Sequence, residues 1–275
     1  MTSTRSFAAA GILFIACAQL PAQWLNYPTA GVPKKPDGSP NLGAPAPRTS
    51  DGKPDFSGIW EAEKNQPCPA DGCPDGPTGK EFFDIAWSIK GGLPYQPWAR
   101  ALVKERLSQN RKDNPNARCL PLGVVGTHTF PLLRKIVQVP GLIVTLNERN
   151  AMYRQIFTDG RALPEDPLPS FNGYSTGKWD GDTLVVQTNG FRDGIWLDAN
   201  GDPLTESGKI TERFRRVDYG HMEVRVTVDD PKVLTAPWTM TPRVVKPSTE
   251  PLEESPRCVE ADANRLVNND HHGQR

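Results

Sequence analysis

Apolar and polar residues alternate through the middle of the chain, and turn-forming residues interrupt this alternation every few positions. Residues 173–189 show the pattern best, because two segments of strand formers meet there at Asp180-Gly181. An Asp-Gly pair favours a two-residue hairpin turn, since both of its residues tolerate a positive φ. Similar segments lie within residues 134–158 and 209–245. Together with residues 56–61, they predict about nine short strands.

Short strands with short connections are typical of closed antiparallel barrels and of sandwiches. Gly58-Ile59-Trp60 is similar to the Gly-x-Trp segment that opens the first strand of lipocalin-like barrels. We therefore expect a mainly β fold, in which an antiparallel meander forms a lipocalin-like barrel of about eight to ten strands; a sandwich is the alternative. We expect one helix, over residues 97–110, because proline suits its first turn and apolar residues recur there at helical spacing.

The first residues have the features of a secretory signal peptide. Arg5 precedes an apolar run over residues 7–18, and small residues follow it. This combination predicts a signal peptide over residues 1–22, and hence a periplasmic or extracellular protein. A buried first helix and a lipidated Cys17 are the alternatives.

The next segment, residues 23–55, is rich in Pro, Gly and Asp, and it contains a degenerate repeat. Residues 36–42 recur in altered form as residues 50–56, and each copy is a turn pattern that ends on an apolar residue, Leu42 or Phe56. We expect an extended arm that docks on the domain through these residues and Trp24; a disordered linker is the alternative. The predicted organisation is completed by a single β domain and a polar tail, residues 56–258 and 259–275.

The charge of the chain excludes some classes of partner. The chain carries 32 basic and 32 acidic side chains. A net charge of zero argues against nucleic acid and against an anionic membrane surface as the main partner, because both attract a basic excess. Beyond the signal peptide, no apolar segment approaches the ~20 residues of a membrane helix. We therefore predict no membrane span and expect a small-molecule ligand; the pattern indicates no oligomeric state.

The cysteines favour disulfides, because an exported chain enters an oxidising compartment and the mature chain has an even number of them. The four are Cys68, Cys73, Cys119 and Cys258. Cys68 and Cys73 bracket a short turn, so their pairing with each other is the natural one, and it leaves Cys119 to pair with Cys258. A zinc site is the alternative, although the sequence has no second closely spaced pair.

Candidate ligand-binding residues follow from the two-residue period of strands. Ile210, Glu212 and Phe214 share a face, so Glu212 points into the barrel if its apolar neighbours do. Leu142, Val144 and Leu146 share a face with Glu148. By the same argument, Glu148 points inward if these residues do. A buried carboxylate needs a cationic partner, which gives either a structural ion pair or the polar anchor of a ligand cavity. The expected lining residues are Tyr153, Arg154, Trp196, Glu212 and Arg213, with Arg154 or Arg213 as the partner of the carboxylate.

Acid–base catalysis is a second possibility for the same residues. His128 would have to meet Glu148, Glu212 or Asp182 at hydrogen-bond distance, so the candidate catalytic residues are His128, Glu148 and Glu212. The four histidines are scattered and predict no metal site. Residues 198–202, Asp-Ala-Asn-Gly-Asp, favour a turn over a calcium loop, since the remaining calcium ligands are missing. We predict no cofactor.

Residues 51–60, DGKPDFSGIW, and residues 173–186, GYSTGKWDGDTLVV, are two of several segments that resemble an uncharacterised family of exported bacterial proteins. The resemblance covers roughly residues 51–238. It implies export and brings no activity with it. Related sequences often carry histidine where this chain has Ala162-Leu163 and Leu204-Thr205, so a site built from those histidines would be missing here.

These patterns lead to three hypotheses of function. The first is an exported protein that binds a small organic ligand in the cavity of a β-barrel. The second is a secreted lyase, isomerase or hydrolase that uses a carboxylate and a histidine for acid–base chemistry. The third is an accessory or interaction subunit that docks through its Pro-rich arm.

Overall fold

The described part of the chain is built mainly from β-strands. The structure is a computed structural model that describes residues 31–62, 84–86, 89, 91–130, 132–240 and 242–253. The strands are β1 (Gly58–Ala62), β2 (Arg134–Val139), β3 (Leu142–Asn147), β4 (Met152–Phe157), β5 (Tyr174–Asp180), β6 (Thr183–Asn189), β7 (Ile195–Trp196), β8 (Pro203–Leu204), β9 (Lys209–Arg216), β10 (Met222–Asp229), β11 (Trp238–Thr239) and β12 (Arg243–Pro247). The α-helices of the described residues are α1 (Pro97–Ser108) and α2 (Gly123–Thr129).

Nine of these strands close into a barrel. The order around the barrel is β10-β12-β1-β2-β3-β4-β5-β6-β9, and pairing of β9 with β10 closes it. β11 adds to the side of β10, while β7 and β8 form a separate small sheet. The predicted mainly β barrel is therefore confirmed. The helix α1 lies where a helix was expected.

One pair of neighbouring strands departs from a pure antiparallel meander. β4 and β5 run parallel and pair only at Ile156 with Ser175 and at Phe157 with Thr176. The connection over residues 158–173 brings the chain back only far enough for the start of β5 to lie beside the last two residues of β4. The first half of β4 consequently has no strand partner on the β5 side. We call this short parallel pairing the β4–β5 seam.

Alternation along the strands fixes the interior. On β9, Ile210, Glu212 and Phe214 are all buried, as the sequence predicted, and the residues between them are more exposed. The interpretation of β3 was wrong by one residue. Its inward face holds Ile143 and Asn147, because Ile143 lies opposite Ile156 of β4, a residue that is itself buried.

The two copies of the N-terminal repeat form the same turn. In the first copy Asn41 N donates to Pro33 O, and in the second Asp55 N donates to Pro47 O, both at closely similar lengths of 2.8 and 2.9 Å. Their anchors differ. Phe56 is 1% exposed and packs on Trp179 and Phe214, whereas Leu42 is 39% exposed. The arm from residue 31 onward therefore docks on its own barrel, and its second copy enters the core.

Several expectations fall on residues that the structure does not describe. They include the signal peptide, the polar tail and three of the four cysteines, Cys68, Cys73 and Cys258. Export and both disulfide pairings therefore remain predictions. Within the described ranges, no helix is long and apolar enough to cross a membrane.

The repeat offers a matched test of core packing. We expect Phe56→Ala to lower the free energy of unfolding by about 3–5 kcal/mol, because it empties a buried aromatic site. The equivalent change in the first copy, Leu42→Ala, should cost about 1 kcal/mol or less, since that side chain is only partly buried. Urea denaturation of both variants measures the difference. Equal losses for the two variants would show that the copies dock alike.

Candidate functional site

Four strands bring polar side chains together inside the barrel. Arg154 of β4, Ser175 of β5, Thr188 of β6 and Glu212 of β9 are all buried, and Glu212 has no exposed surface. Each one occupies an inward position of its strand next to apolar residues that point the same way, such as Ile156 beside Arg154. The two-residue period of the strands thus directs all four polar groups into the interior.

Arg154 is held by hydrogen bonds from its guanidinium to three other strands. Nη1 donates to Glu212 Oε1 at 2.9 Å, and Nη2 donates to Glu212 Oε2. Nε donates to Ser175 Oγ at 3.0 Å, and Nη2 also donates to Thr188 Oγ1 at 2.8 Å. The two hydroxyl oxygens lie 3.0 Å apart and form a further hydrogen bond. The guanidinium is consequently fixed in both position and orientation.

His128 reaches this cluster from α2. Gly123 opens the helix with φ of 70°, a left-handed value that favours glycine, and the helix buries both valines that follow. Nε2 of His128 lies 2.7 Å from Glu212 Oε1, and Nδ1 lies 2.8 Å from Arg134 Nη1. A guanidinium only donates, so Nδ1 must accept. Nε2 therefore carries the proton and donates it to Glu212.

The electrostatics fix the charge of each group at neutral pH. Burial lowers the pKa of His128 to about 4, although the hydrogen bond with Glu212 raises it. Burial raises the pKa of Glu212, but the charge of Arg154 and the hydrogen bonds from His128 and Arg154 outweigh burial and leave this pKa at about 2. Glu212 is therefore a carboxylate and His128 a neutral imidazole. We call Glu212, Arg154, His128 and Arg134, with the two hydroxyls, the buried network.

The structure brings together three of the residues proposed from the sequence, namely His128, Arg154 and Glu212. The others lie elsewhere. Tyr153 is on the outer face of β4 and 64% exposed, and Arg213 is on the outer face of β9, where it donates to Asp180 Oδ2 at 2.9 Å. Alternation explains both corrections, because their neighbours Arg154 and Glu212 take the inward positions.

The remaining candidates are also apart from the buried network. Trp196 lies on β7 beneath the guanidinium of Arg106, 4.6 Å from its ring centroid. Glu148 follows β3 and accepts the backbone N–H groups of Leu133 and Glu253. Neither residue contacts His128 in the hydrogen bonds of the described chain.

Sequence reasoning missed Arg134, Ser175 and Thr188. A signal for two of them existed. Arg134 shares a strand face with Ile136, and Thr188 shares one with Val186, so the argument that found Glu212 applies to both. The contact between Arg134 and His128 joins a strand to a short helix, and no local pattern predicts it.

A groove opens beside the network where β4 and β5 separate. Its volume is about 490 Å³. Arg154 and Ser175 lie in its wall, so the network meets the groove from the inside. The other lining residues are Pro121, Asn150, Met152, Tyr153, Gln155, Phe157, Ser170, Phe171, Asn172, Gly173 and Tyr174. We call it the β4–β5 groove.

A second polar cluster lies outside the barrel sheet. Carboxylate oxygens of Asp84, Asp198 and Asp202 lie within 4.8 Å of one another, close enough to hold a metal ion. Asp198 Oδ1 accepts the backbone N–H groups of Asn200, Gly201 and Asp202, so residues 198–202 form the predicted turn. Burial raises the pKa of Asp198 and of Asp202. Asp198 Oδ2 accepts the backbone N–H of Ile85 at 2.9 Å, so this carboxylate also ties the turn to a distant segment of the chain.

The buried network predicts a large cost for removing its central charge. We expect Glu212→Gln to lower the free energy of unfolding by about 3–5 kcal/mol, because it leaves a buried guanidinium without its carboxylate. Asp182→Asn is the matched control: it breaks the exposed ion pair between Arg48 and Asp182, and should leave the urea midpoint unchanged. A small loss for Glu212→Gln would contradict an ionised, paired Glu212.

Acid should weaken the fold through His128. The folded pKa of about 4 lies below the ordinary value of 6.5, so the unfolded chain binds more protons between these values. The contribution of neutral His128 to the free energy of unfolding is complete above pH 6.5. It disappears as the pH falls toward 4, which is a loss of about 3 kcal/mol. His128→Asn, which retains an acceptor and a donor, should flatten the pH profile of unfolding in this window.

The control for that profile is His221→Asn, because His221 is partly exposed at a hairpin and pairs with Asp218. It should leave the decline in stability between pH 6.5 and 4 in place. A decline that survives His128→Asn would mean that another group causes it.

The chain was compared with protein-family models, with curated proteins and with solved structures, and none of the three comparisons found a match. The resemblance to a family of exported bacterial proteins thus remains an expectation. The function has to be argued from the site alone.

Proposed function

We propose that the protein binds a small organic molecule with a flat, apolar body in the β4–β5 groove. The observation that carries this proposal is the groove itself, about 490 Å³ in volume, with aromatic walls and a fixed arginine at its inner side. Small-molecule sites usually measure ~300–1,000 Å³ and combine apolar walls with a few fixed polar groups. The groove has both properties.

The aromatic wall of the groove is held in place. Phe157 and Tyr174 stack with their ring centroids 5.2 Å apart. Arg161 lies 4.0 Å over the ring of Phe157 and donates to the Tyr174 hydroxyl at 3.1 Å. Its own position is set by an ion pair with Asp159. A flat ligand can therefore stack on a surface that is already ordered.

The polar side of the groove is also ordered before a ligand arrives. Arg154 makes hydrogen bonds to Glu212, Ser175 and Thr188, so its rotamer is already selected. Binding then avoids the entropy cost of fixing a long side chain, which is about 0.5–1.5 kcal/mol. This preorganisation favours a binding site over a surface depression. This position of the ligand differs from the interior cavity that the sequence predicted, because the groove lies at the wall of the barrel.

Acid–base catalysis has weaker support, although His128 does meet Glu212. Both ring nitrogens of His128 are engaged, Nδ1 by Arg134 and Nε2 by Glu212. The low pKa values of about 4 for His128 and about 2 for Glu212 keep both groups in one protonation state at neutral pH. A general base needs a free lone pair and a pKa near the working pH. We therefore infer a structural role for this pair.

The accessory-subunit hypothesis loses its main support as well, because the described arm is engaged with its own barrel through Phe56 and through the ion pair of Arg48 with Asp182. We retain export as part of the proposal, on the strength of the N-terminal sequence.

Tyr153 gives a direct test. A panel of small aromatic compounds is screened by thermal shift, and the dissociation constants of those that stabilise the protein are measured by calorimetry. Tyr153→Ala should weaken their binding about tenfold, because it removes an aromatic wall from the groove. The side chain is 64% exposed, so the fold should not change.

The matched control is Trp98→Ala. Trp98 is an aromatic residue of α1 that is 46% exposed and does not line the groove. Trp98→Ala should leave ligand affinity unchanged. Equal affinities for the wild type and Tyr153→Ala would exclude the groove as the binding site.

A further inference from the structure

We propose that the ligand of the β4–β5 groove is an anion, specifically a carboxylate carried on the flat apolar body. This inference rests on the proposed function and adds the charge of the ligand. It follows from three features of the groove: the side chains that line it, the charge of the buried network behind Arg154, and the cation at its rim.

The lining of the groove contains a cation and no acid. Of the residues in its walls, Arg154 is the basic one, and none is aspartate or glutamate. The other polar groups there are amides and hydroxyls, including those of Asn150, Gln155 and Tyr153. Amide and hydroxyl hydrogens can donate to a carboxylate. A cationic ligand would find no carboxylate in these walls.

The buried network behind the groove keeps an excess positive charge. The two oxygens of Glu212 pair with Arg154, which accounts for the single negative charge. Arg134 donates to His128, a neutral acceptor, and forms no ion pair with a carboxylate of the described residues. Its Nε is buried without a hydrogen-bond partner. Four ionisable groups thus hold two positive charges and one negative charge.

This excess charge acts on the groove because it is buried. Charges inside a protein are screened far less than charges in water. Arg134, His128, Glu212 and Arg154 form a continuous chain of contacts of 2.7–2.9 Å that ends in the groove wall. The wall therefore presents a positive potential at Arg154, although Glu212 balances the charge of that residue itself.

The rim of the groove adds a second cation. Arg192 is exposed and lies 4.7 Å over the ring of Phe171, a lining residue. Arg161 is also close, but its ion pair with Asp159 neutralises it. An anion in the groove would therefore lie near the buried positive charge and near the exposed one that contacts Phe171. A carboxylate suits this arrangement, because its planar oxygens can accept from the amide and hydroxyl donors of the walls while the attached ring stacks on the aromatic wall.

The test compares carboxylates with amides of the same shape. Benzoate and benzamide, cinnamate and cinnamamide, and 2-naphthoate and 2-naphthamide are titrated into the full chain at neutral pH. We expect each carboxylate to bind about tenfold more tightly than its amide. The preference should largely persist between about 0.05 and about 0.5 M NaCl, since salt screens buried charges weakly.

One variant tests the cation at the rim, and a second variant is its control. Arg192→Gln should reduce the carboxylate preference about two- to threefold at low salt and have no effect at high salt, as expected for an exposed charge. Arg215 is an exposed arginine on the outer face of β9, so Arg215→Gln should leave the carboxylate preference unchanged. Both side chains are exposed, so neither variant should fail to fold.

The outcomes distinguish this inference from the function on which it rests. If the amides bind as tightly as the carboxylates or more tightly, the anion inference is overturned and small-molecule binding stands. If the carboxylates lose their preference entirely at high salt, the buried network is not its source. If neither series binds, the proposed function fails, and the charge preference fails with it.

Discussion

The ion pair between Glu212 and Arg154 is the interaction on which the interior of this barrel depends. A carboxylate without exposed surface is stable only when its charge is balanced and its oxygens accept hydrogen bonds. Arg154 and His128 meet both requirements, and they come from a different strand and from a helix. The pair therefore does more than neutralise a charge. It joins α2, β4 and β9, which are far apart in the sequence.

The same contacts compensate for a weakness in the sheet. β4 and β5 share only two residue pairs, so few backbone hydrogen bonds hold them together. The Arg154 side chain reaches from β4 to Ser175 of β5 and to Thr188 of β6, across this weak point. Side-chain hydrogen bonds thus replace part of the missing ladder. The residue that closes the barrel from within is also the one that a ligand in the groove would meet.

Much of the fold could be predicted from the sequence, because strand alternation and turn pairs are local signals. Glu212 was placed correctly, since β9 has apolar neighbours on one face only. β3 and β4 were harder. In β4, Met152 and Ile156 favour one face while Tyr153 and Phe157 favour the other, so apolarity alone does not choose between them. Only the register with neighbouring strands decides, and register is a long-range property.

Other parts could not be read from local patterns at all. The helix α2, GVVGTHT, contains two glycines and two valines, which are weak helix formers, so its conformation is set by the burial of its surface. The meeting of His128 with Arg134 and Glu212 depends on where that helix enters the barrel. The parallel direction of β5 likewise depends on how the connection over residues 158–173 crosses the structure, and spacing does not specify it.

The β4–β5 seam is also the shortest backbone pairing in the closed sheet of this barrel. Each of the eight other neighbouring pairs in the closed sheet is antiparallel and has a longer ladder than the seam. At this one place the ring is held by two backbone pairs together with the hydrogen bonds from Arg154 to Ser175 and Thr188. A substitution of Arg154 would therefore act on the closure of the barrel as well as on the wall of the groove.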